Sequence, residues 1–181
     1  MILAGIDTET TGLTTPDHRI LEVYIGLWRG RQRVYTYEQR IDSQRAVSAD
    51  AQAVHRISYA DVAGKPVFRD LAPGMAKVFE KADAYVIHNS AFDLDFLRHE
   101  FKTAGVTFPE RPVVDTMTEA PWATHDGKRP RLEELCFSLG HPYDPALARA
   151  LLDRFGYKAG KDGWRTLPDG RPLLLTMHSD A

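Results

Sequence analysis

The stretch Asp7-Thr8-Glu9-Thr10-Thr11-Gly12-Leu13 directly follows a short apolar run, Met1 to Ile6, and this junction limits the possible folds more than any other part of the chain. The run reads as a buried strand, and in a strand residues two apart share a face. Asp7 and Glu9 therefore project side by side from the strand end. Adjacent carboxylates repel unless a positive charge lies between them. A hard divalent cation such as Mg²⁺ or Mn²⁺, which prefers oxygen ligands, meets that need. Taken alone, Asp-x-Glu fits a solvated strand end at least as well, so the reading depends on what the rest of the chain adds.

A second stretch lies about eighty residues on. Ala84-Tyr85-Val86-Ile87 reads as another short buried strand, followed by His88-Asn89-Ser90-Ala91-Phe92-Asp93. Asn89 or Ser90 suits a helix cap, and the spacing of Phe92, Phe96, Leu97 and Phe101 suits an amphipathic helix. Asp93 then falls in the first helical turn, close to the strand end. That position serves a partner of the helix dipole or a catalytic acid.

In order along the chain, these stretches resemble the DEDD family of 3′–5′ exonucleases, the group that contains polymerase proofreading subunits and ribonuclease T. Asp7 to Leu13 is similar to the first family motif without a gap, and His88 to Asp93 to the second. Ile20-Leu21-Glu22-Val23 resembles the second strand of the family. Ala53-Val54-His55-Arg56-Ile57-Ser58, Val114-Asp115-Thr116 and Leu132 to Cys136 with Leu139-Gly140 resemble lesser family segments. An ordered set carries far more weight than any one motif. The resemblance implies an RNase H-like α/β fold, a mixed sheet flanked by helices. It also implies hydrolysis of phosphodiester bonds at the 3′ end of single-stranded DNA or RNA. Asp7, Glu9, Asp93 and a fourth acid would hold two Mg²⁺ or Mn²⁺ ions about 4 Å apart. Thr10 and Leu13, with Asn89 and Phe92, would contact the terminal nucleotide.

The third family motif, His–four residues–Asp, is not intact. Residues 141–154 read His141-Pro142-Tyr143-Asp144-Pro145-Ala146-Leu147-Ala148-Arg149-Ala150-Leu151-Leu152-Asp153-Arg154. One register keeps Asp153 as the fourth acid and puts Ala148 at the base position; the other puts Arg149 and Arg154 at the His and Asp. The general base is missing in both, with His141 a weak substitute, and loss of the fourth carboxylate would leave one ion rather than two. From about residue 144 to 181 the text resembles instead a fragment of extracellular solute-binding proteins of the oligopeptide type. The expected organisation is an exonuclease-like domain over 1–143 and a C-terminal segment over 144–181, formed of helix, loop and hairpin. Two other readings accompany the exonuclease: a catalytically inactive relic or chimera of the same fold that binds nucleic acid or metal, and a peptide-binding fragment.

Composition narrows the setting. Hydrophobic residues at 43% and charged residues at 27% are ordinary for a globular chain, and no apolar run is long enough to span a membrane. The start shows no signal-peptide pattern, so a cytoplasmic location is expected. The single Cys136 reads as a buried packing residue. A net charge of -2 means that contact with nucleic acid depends on local basic patches; Arg29, Arg31 and Arg33 form one candidate and Lys128, Arg129 and Arg131 another. A polymerase or homodimer partner is left open. The coarse order is strands over 2–7, 20–27 and 33–40, helices over about 50–55 and 69–81, a strand over 84–87 and a helix over 91–104. A short strand near 113, a helix around 131–139 and a late helix follow.

Overall fold

The computed structural model describes residues 1–140. Asp153, His141 and the expected C-terminal helix and hairpin lie outside the described residues. The chain divides into two compact units, 1–121 and 122–181.

The first unit opens on three strands, β1 (Ile2–Thr10), β2 (Ile20–Arg29) and β3 (Gln32–Arg40). After the helices α1 (Ala49–His55), α2 (Tyr59–Val62) and α3 (Phe68–Phe79) come strand β4 (Ala84–Ile87), helix α4 (Ser90–Ala104) and strand β5 (Val113–Asp115). The strands form one five-stranded sheet in the order β3-β2-β1-β4-β5. β2 pairs antiparallel with β1 and β3, and β4 runs parallel to β1 and β5. This is the mixed α/β arrangement expected from the sequence.

Alternation along β1 decides what faces what. Ala4, Ile6, Thr8 and Thr10 are buried, whereas Asp7 and Glu9 point to the other face. The apolar side packs against α3 and α4 through Phe68, Met75, Phe79, Leu97 and Phe101. Phe79, Phe101 and Phe108 meet one another with ring centroids 5.2–6.0 Å apart, edge and tilted contacts that add to simple burial.

Several local expectations are corrected. β1 continues to Thr10, because Thr8 and Thr10 keep the inward alternation going, so Asp7 and Glu9 lie within the strand and not beyond its end. The short helix α2 was not anticipated; its Ser58–Asp61 capping box is a local signal that does show in the sequence. Helix α4 begins at Ser90 with Asn89 as its N-cap residue, as expected, but the Asn89 side chain makes no capping bond. Asn89 adopts a left-handed conformation with φ of 69°, and the carboxylate of Asp115 accepts the Asn89 and Ser90 amides at 3.1 and 2.9 Å.

In the second unit, helix α5 (Leu132–Ser138) follows a single 3₁₀ turn at Pro121–Ala123. Cys136 is half-buried rather than buried, since Leu135 takes the inward position of α5. Among the described residues no helix is long and apolar enough to cross a membrane.

Candidate active site

The site is built where β1, β4 and the start of α4 converge. In the antiparallel register Asp7 lies opposite Tyr24 and Glu9 opposite Glu22, with an irregularity between Glu9 and Thr10. The parallel register places Gly5 beside Val86, and His88, just past the end of β4, is close enough to act on the charge of Asp7. Asp93 enters from the first turn of α4 and is only 4% exposed. Its Oδ1 accepts a hydrogen bond of 2.7 Å from the Thr8 hydroxyl, on the inward face of β1.

No basic side chain is bonded to Asp7, Glu9 or Asp93 among the described residues, and the protonation behaviour follows. Burial is the largest influence on Glu9, followed by repulsion from Asp7, Glu22 and Asp93; together they push its carboxyl up to about 7. Asp93 also rises to about 7, driven by burial and opposed by the Thr8 hydroxyl. Asp7 is open to solvent on one side, yet the protein around it displaces enough water to raise its carboxyl. Glu22 adds to that rise, and the Thr8 amide and His88 oppose it. Three acids held against their own ionisation are the arrangement a divalent cation relieves.

A cleft of about 580 Å³ opens beside Glu9, and Thr10, Leu13 and Phe92 line it together with Gly12, His18, Val54 and His55. Leu13 is 78% exposed at its rim, and Phe92 stands against Phe96 at 5.1 Å. Asn89 does not line the cleft. The wall formed by Thr11 to Arg19 is a closed loop. The Thr11 amide donates to the Arg19 carbonyl at 2.8 Å, and the Arg19 amide returns a bond to the Thr11 hydroxyl at 3.0 Å. The His18 ring lies over Gly12, and a Cβ there would run into ring atoms, so a larger residue would push the ring aside.

The sequence reading missed several residues that shape this site. His55 accepts from the Ile57 amide at Nδ1 and so presents Nε2–H to the Thr10 carbonyl, both at 3.0 Å, tying α1 to the end of β1. Thr8, between the two acids of the first motif, gives Asp93 its side-chain bond. Asp115 anchors the α4 terminus; burial acts to raise its carboxyl, but bonds from Ser90, Met117 and Asn89 outweigh that and hold it low. Only the alternation of β1 could have pointed to Thr8; the other contacts join distant segments.

The comparisons with known proteins follow from this geometry. A family model described as an exonuclease, of the RNase T type, matches residues 4–154. The chain belongs to this exonuclease family. Among curated relatives, DNA polymerase III subunit epsilon of Pasteurella multocida is 31% identical over 144 residues, covering 75% of this chain and 56% of the relative. The same subunit of Rickettsia typhi is 34% identical, covering 72% and 59%. The 3′-5′ exonuclease DinG of Staphylococcus saprophyticus is 28% identical, and the match covers 76% of this chain but 15% of that one. The chain thus spans somewhat more than half the length of the epsilon subunits it matches. Solved structures agree on the fold. Exonuclease X in complex with 5′ overhanging duplex DNA superposes with a TM-score of 0.60 at 24% identity, covering 87% of this chain and 95% of that one. Product-bound exonuclease I gives 0.68 at 15% identity, covering 81% and 40%. The five-stranded mixed sheet with its flanking helices is the RNase H-like fold of these exonucleases.

Proposed function

We propose that this protein removes nucleotides from the 3′ end of single-stranded DNA, with RNA as the other possible strand, through a divalent-metal site formed by Asp7, Glu9 and Asp93. The observation that carries this reading is the placement of Asp7 and Glu9 on one face of β1, with buried Asp93 close enough to repel both and a cleft alongside. The donors are all carboxylate oxygens, which suits Mg²⁺ or Mn²⁺. When bound, such ions supply charge neutralisation at the scissile phosphate and lower the pKa of attacking water. The protein's own residues do the rest. Asp7, Glu9 and Asp93 hold the cation charge in place, with Asp153 the proposed fourth acid. Thr10, Leu13 and Phe92 form the walls against which an unstacked terminal base would rest, and Asn89 stands at the start of the same helix as Phe92. Residues 1–143 are proposed as the exonuclease-like domain, with 144–181 a C-terminal segment, and the setting as cytoplasmic. The epsilon subunits among its relatives make a polymerase a reasonable partner to test.

A 5′-labelled single-stranded oligonucleotide incubated with Mg²⁺ or Mn²⁺ tests the proposal. A ladder that shortens from the 3′ end, and is lost in Asp7→Asn, supports it; a folded protein that leaves the strand intact refutes it. A second reading is a binding relic without catalysis. It is favoured by two observations: residues 141–154 contain no His–four residues–Asp, and among the described residues no group of three or more His, Cys, Asp and Glu side chains is assembled as a metal cage. Binding of the oligonucleotide without cleavage would select it.

A further inference from the structure

A fourth carboxylate stands within the described part of this site, and nothing in the sequence motifs assigns it a role. Glu22 lies on β2 directly opposite Glu9 in the antiparallel register, on the face of the sheet that carries Asp7 and Glu9. Like charges directly opposite one another are normally destabilising, so this pair needs a reason. The next strand supplies half of one: Arg40 on β3 lies opposite Glu22, and its Nε donates to Glu22 Oε2 at 2.9 Å. Arg40 is also within electrostatic reach of Asp61 and Glu38. The row across the sheet therefore reads Arg40, Glu22, Glu9, with the cation at the far end from the site. Among the described residues Arg40 is the one basic side chain bonded to any of Asp7, Glu9, Glu22 and Asp93. The far side of Glu22 is neutralised, whereas the side toward Glu9 is not.

We infer that Glu22, held by Arg40, is a positioning carboxylate of the metal site: its charge, placed behind Glu9, raises affinity for the divalent cation without ligating it. This inference rests on the metal-site reading of Asp7, Glu9 and Asp93. The pair has a built-in sign. Glu22 adds negative charge to the site, and Arg40 takes part of it back while holding the Glu22 side chain over β2. Removing one should oppose removing the other, which a purely structural role for the ion pair would not produce.

The test is calorimetric titration of the metal-free full-length protein with MnCl₂, beside circular dichroism to confirm folding. Partners outside the ligand set usually change metal affinity by roughly 10–100-fold, and E22Q should weaken Mn²⁺ binding by about tenfold at the lower end of that range. E22D should retain most of the wild-type affinity. R40Q should tighten binding, and this gain should vanish in the E22Q/R40Q double variant because it acts through Glu22. A folded E22Q with wild-type affinity, or an R40Q effect undiminished without Glu22, overturns the inference. D7N separates the two levels. If the wild type binds Mn²⁺ and D7N does not, the site stands and only the role of Glu22 is in question. If the wild type takes up no Mn²⁺, the site and the inference fall together.

Discussion

Helix α4 carries two buried acids two turns apart, and they are treated in opposite ways. Glu100, 2% exposed, receives the Arg19 guanidinium through two bonds of 2.6 Å and the Ile20 amide at 3.3 Å. Asp93, 4% exposed, receives the Thr8 hydroxyl and backbone amides but no cationic side chain among the described residues, while Asp7 and Glu9 repel it. Both acids are expensive to bury. Glu100 is given its counter-charge by the fold and so fastens the cleft loop to α4. Asp93 is denied one and is pushed to about 7. A fold that completes a buried carboxylate at one end of a helix leaves another without a counter-charge at the other end, where the proposed cation would supply one. Perturbed acids of that kind cluster at functional sites.

The comparison breaks most readily at Glu100. Glu100→Gln strands Arg19 and should cost about 3 kcal/mol of stability, the low end for breaking a buried pair because Arg19 is partly exposed; urea unfolding measures it, and a loss below about 1 kcal/mol would deny Glu100 its structural role. Asp93→Asn should do the reverse. Trimming of a labelled oligonucleotide should fall at least a hundredfold, about 2.7 kcal/mol of barrier, while the melting temperature at pH 8 rises or holds. A folded Asp93→Asn protein with a lowered melting temperature and wild-type specific activity would exchange the roles assigned to the two acids.

The pH dependence sharpens the same contrast. Glu9 and Asp93 have ordinary values of 4.5 and 3.8 and folded values of about 7. Well below pH 4 they are protonated in both folded and unfolded chains and cost nothing. As pH rises toward 7 the unfolded chain releases its protons first, so stability is lost across that window and the full loss is present above it. Asp42, Asp61, Glu110 and Asp115 have lowered values and work in the opposite sense, but only in the acid range. Between pH 5 and 8 the metal-free protein should therefore lose on the order of 2 kcal/mol, roughly 4–8 °C in melting temperature. Millimolar Mn²⁺ should remove most of that slope. A melting temperature that does not fall across this range, with and without Mn²⁺, would mean the three acids are not held against ionisation. The smallest effect is expected from Thr8→Val, about 1 kcal/mol for the lost bond to Asp93, seen as a weaker affinity for Mn²⁺ and not as a lost fold.

Much of this site was legible in the residues. Asp7 and Glu9 share a face because side chains alternate along any strand, a rule that needs no tertiary information. The placement of Asp93 in a first helical turn follows from the apolar spacing of Phe92, Phe96, Leu97 and Phe101. The extent of β1 was not legible, because a polar threonine at 8 or 10 carries no apolar signal that marks the strand as continuing. The cap position of α4 at Asn89 follows on local grounds, whereas the bonds from its first amides go to Asp115, 25 residues or more away. Nor could the ion pair of Arg19 with Glu100 be read, because its partners are 81 residues apart.

The sequence by itself determined the chemistry available to this protein: an Asp-x-Glu pair on a strand, a third acid at a helix start, the order of both along the chain, and hence the α/β class, with the exonuclease family following from the resemblance of these motifs. Those properties are set by short-range periodicity and side-chain type. Tertiary structure alone decided which acids receive a counter-charge. Glu100 meets Arg19, Glu22 meets Arg40, and Asp93 meets no cationic side chain among the described residues, because strand register and the crossing of α4 over β1 and β2 set which side chains come within bonding distance. Burial and charge act through space, so the difference between a buried acid with a counter-charge and one without appears only once the chain has closed around them.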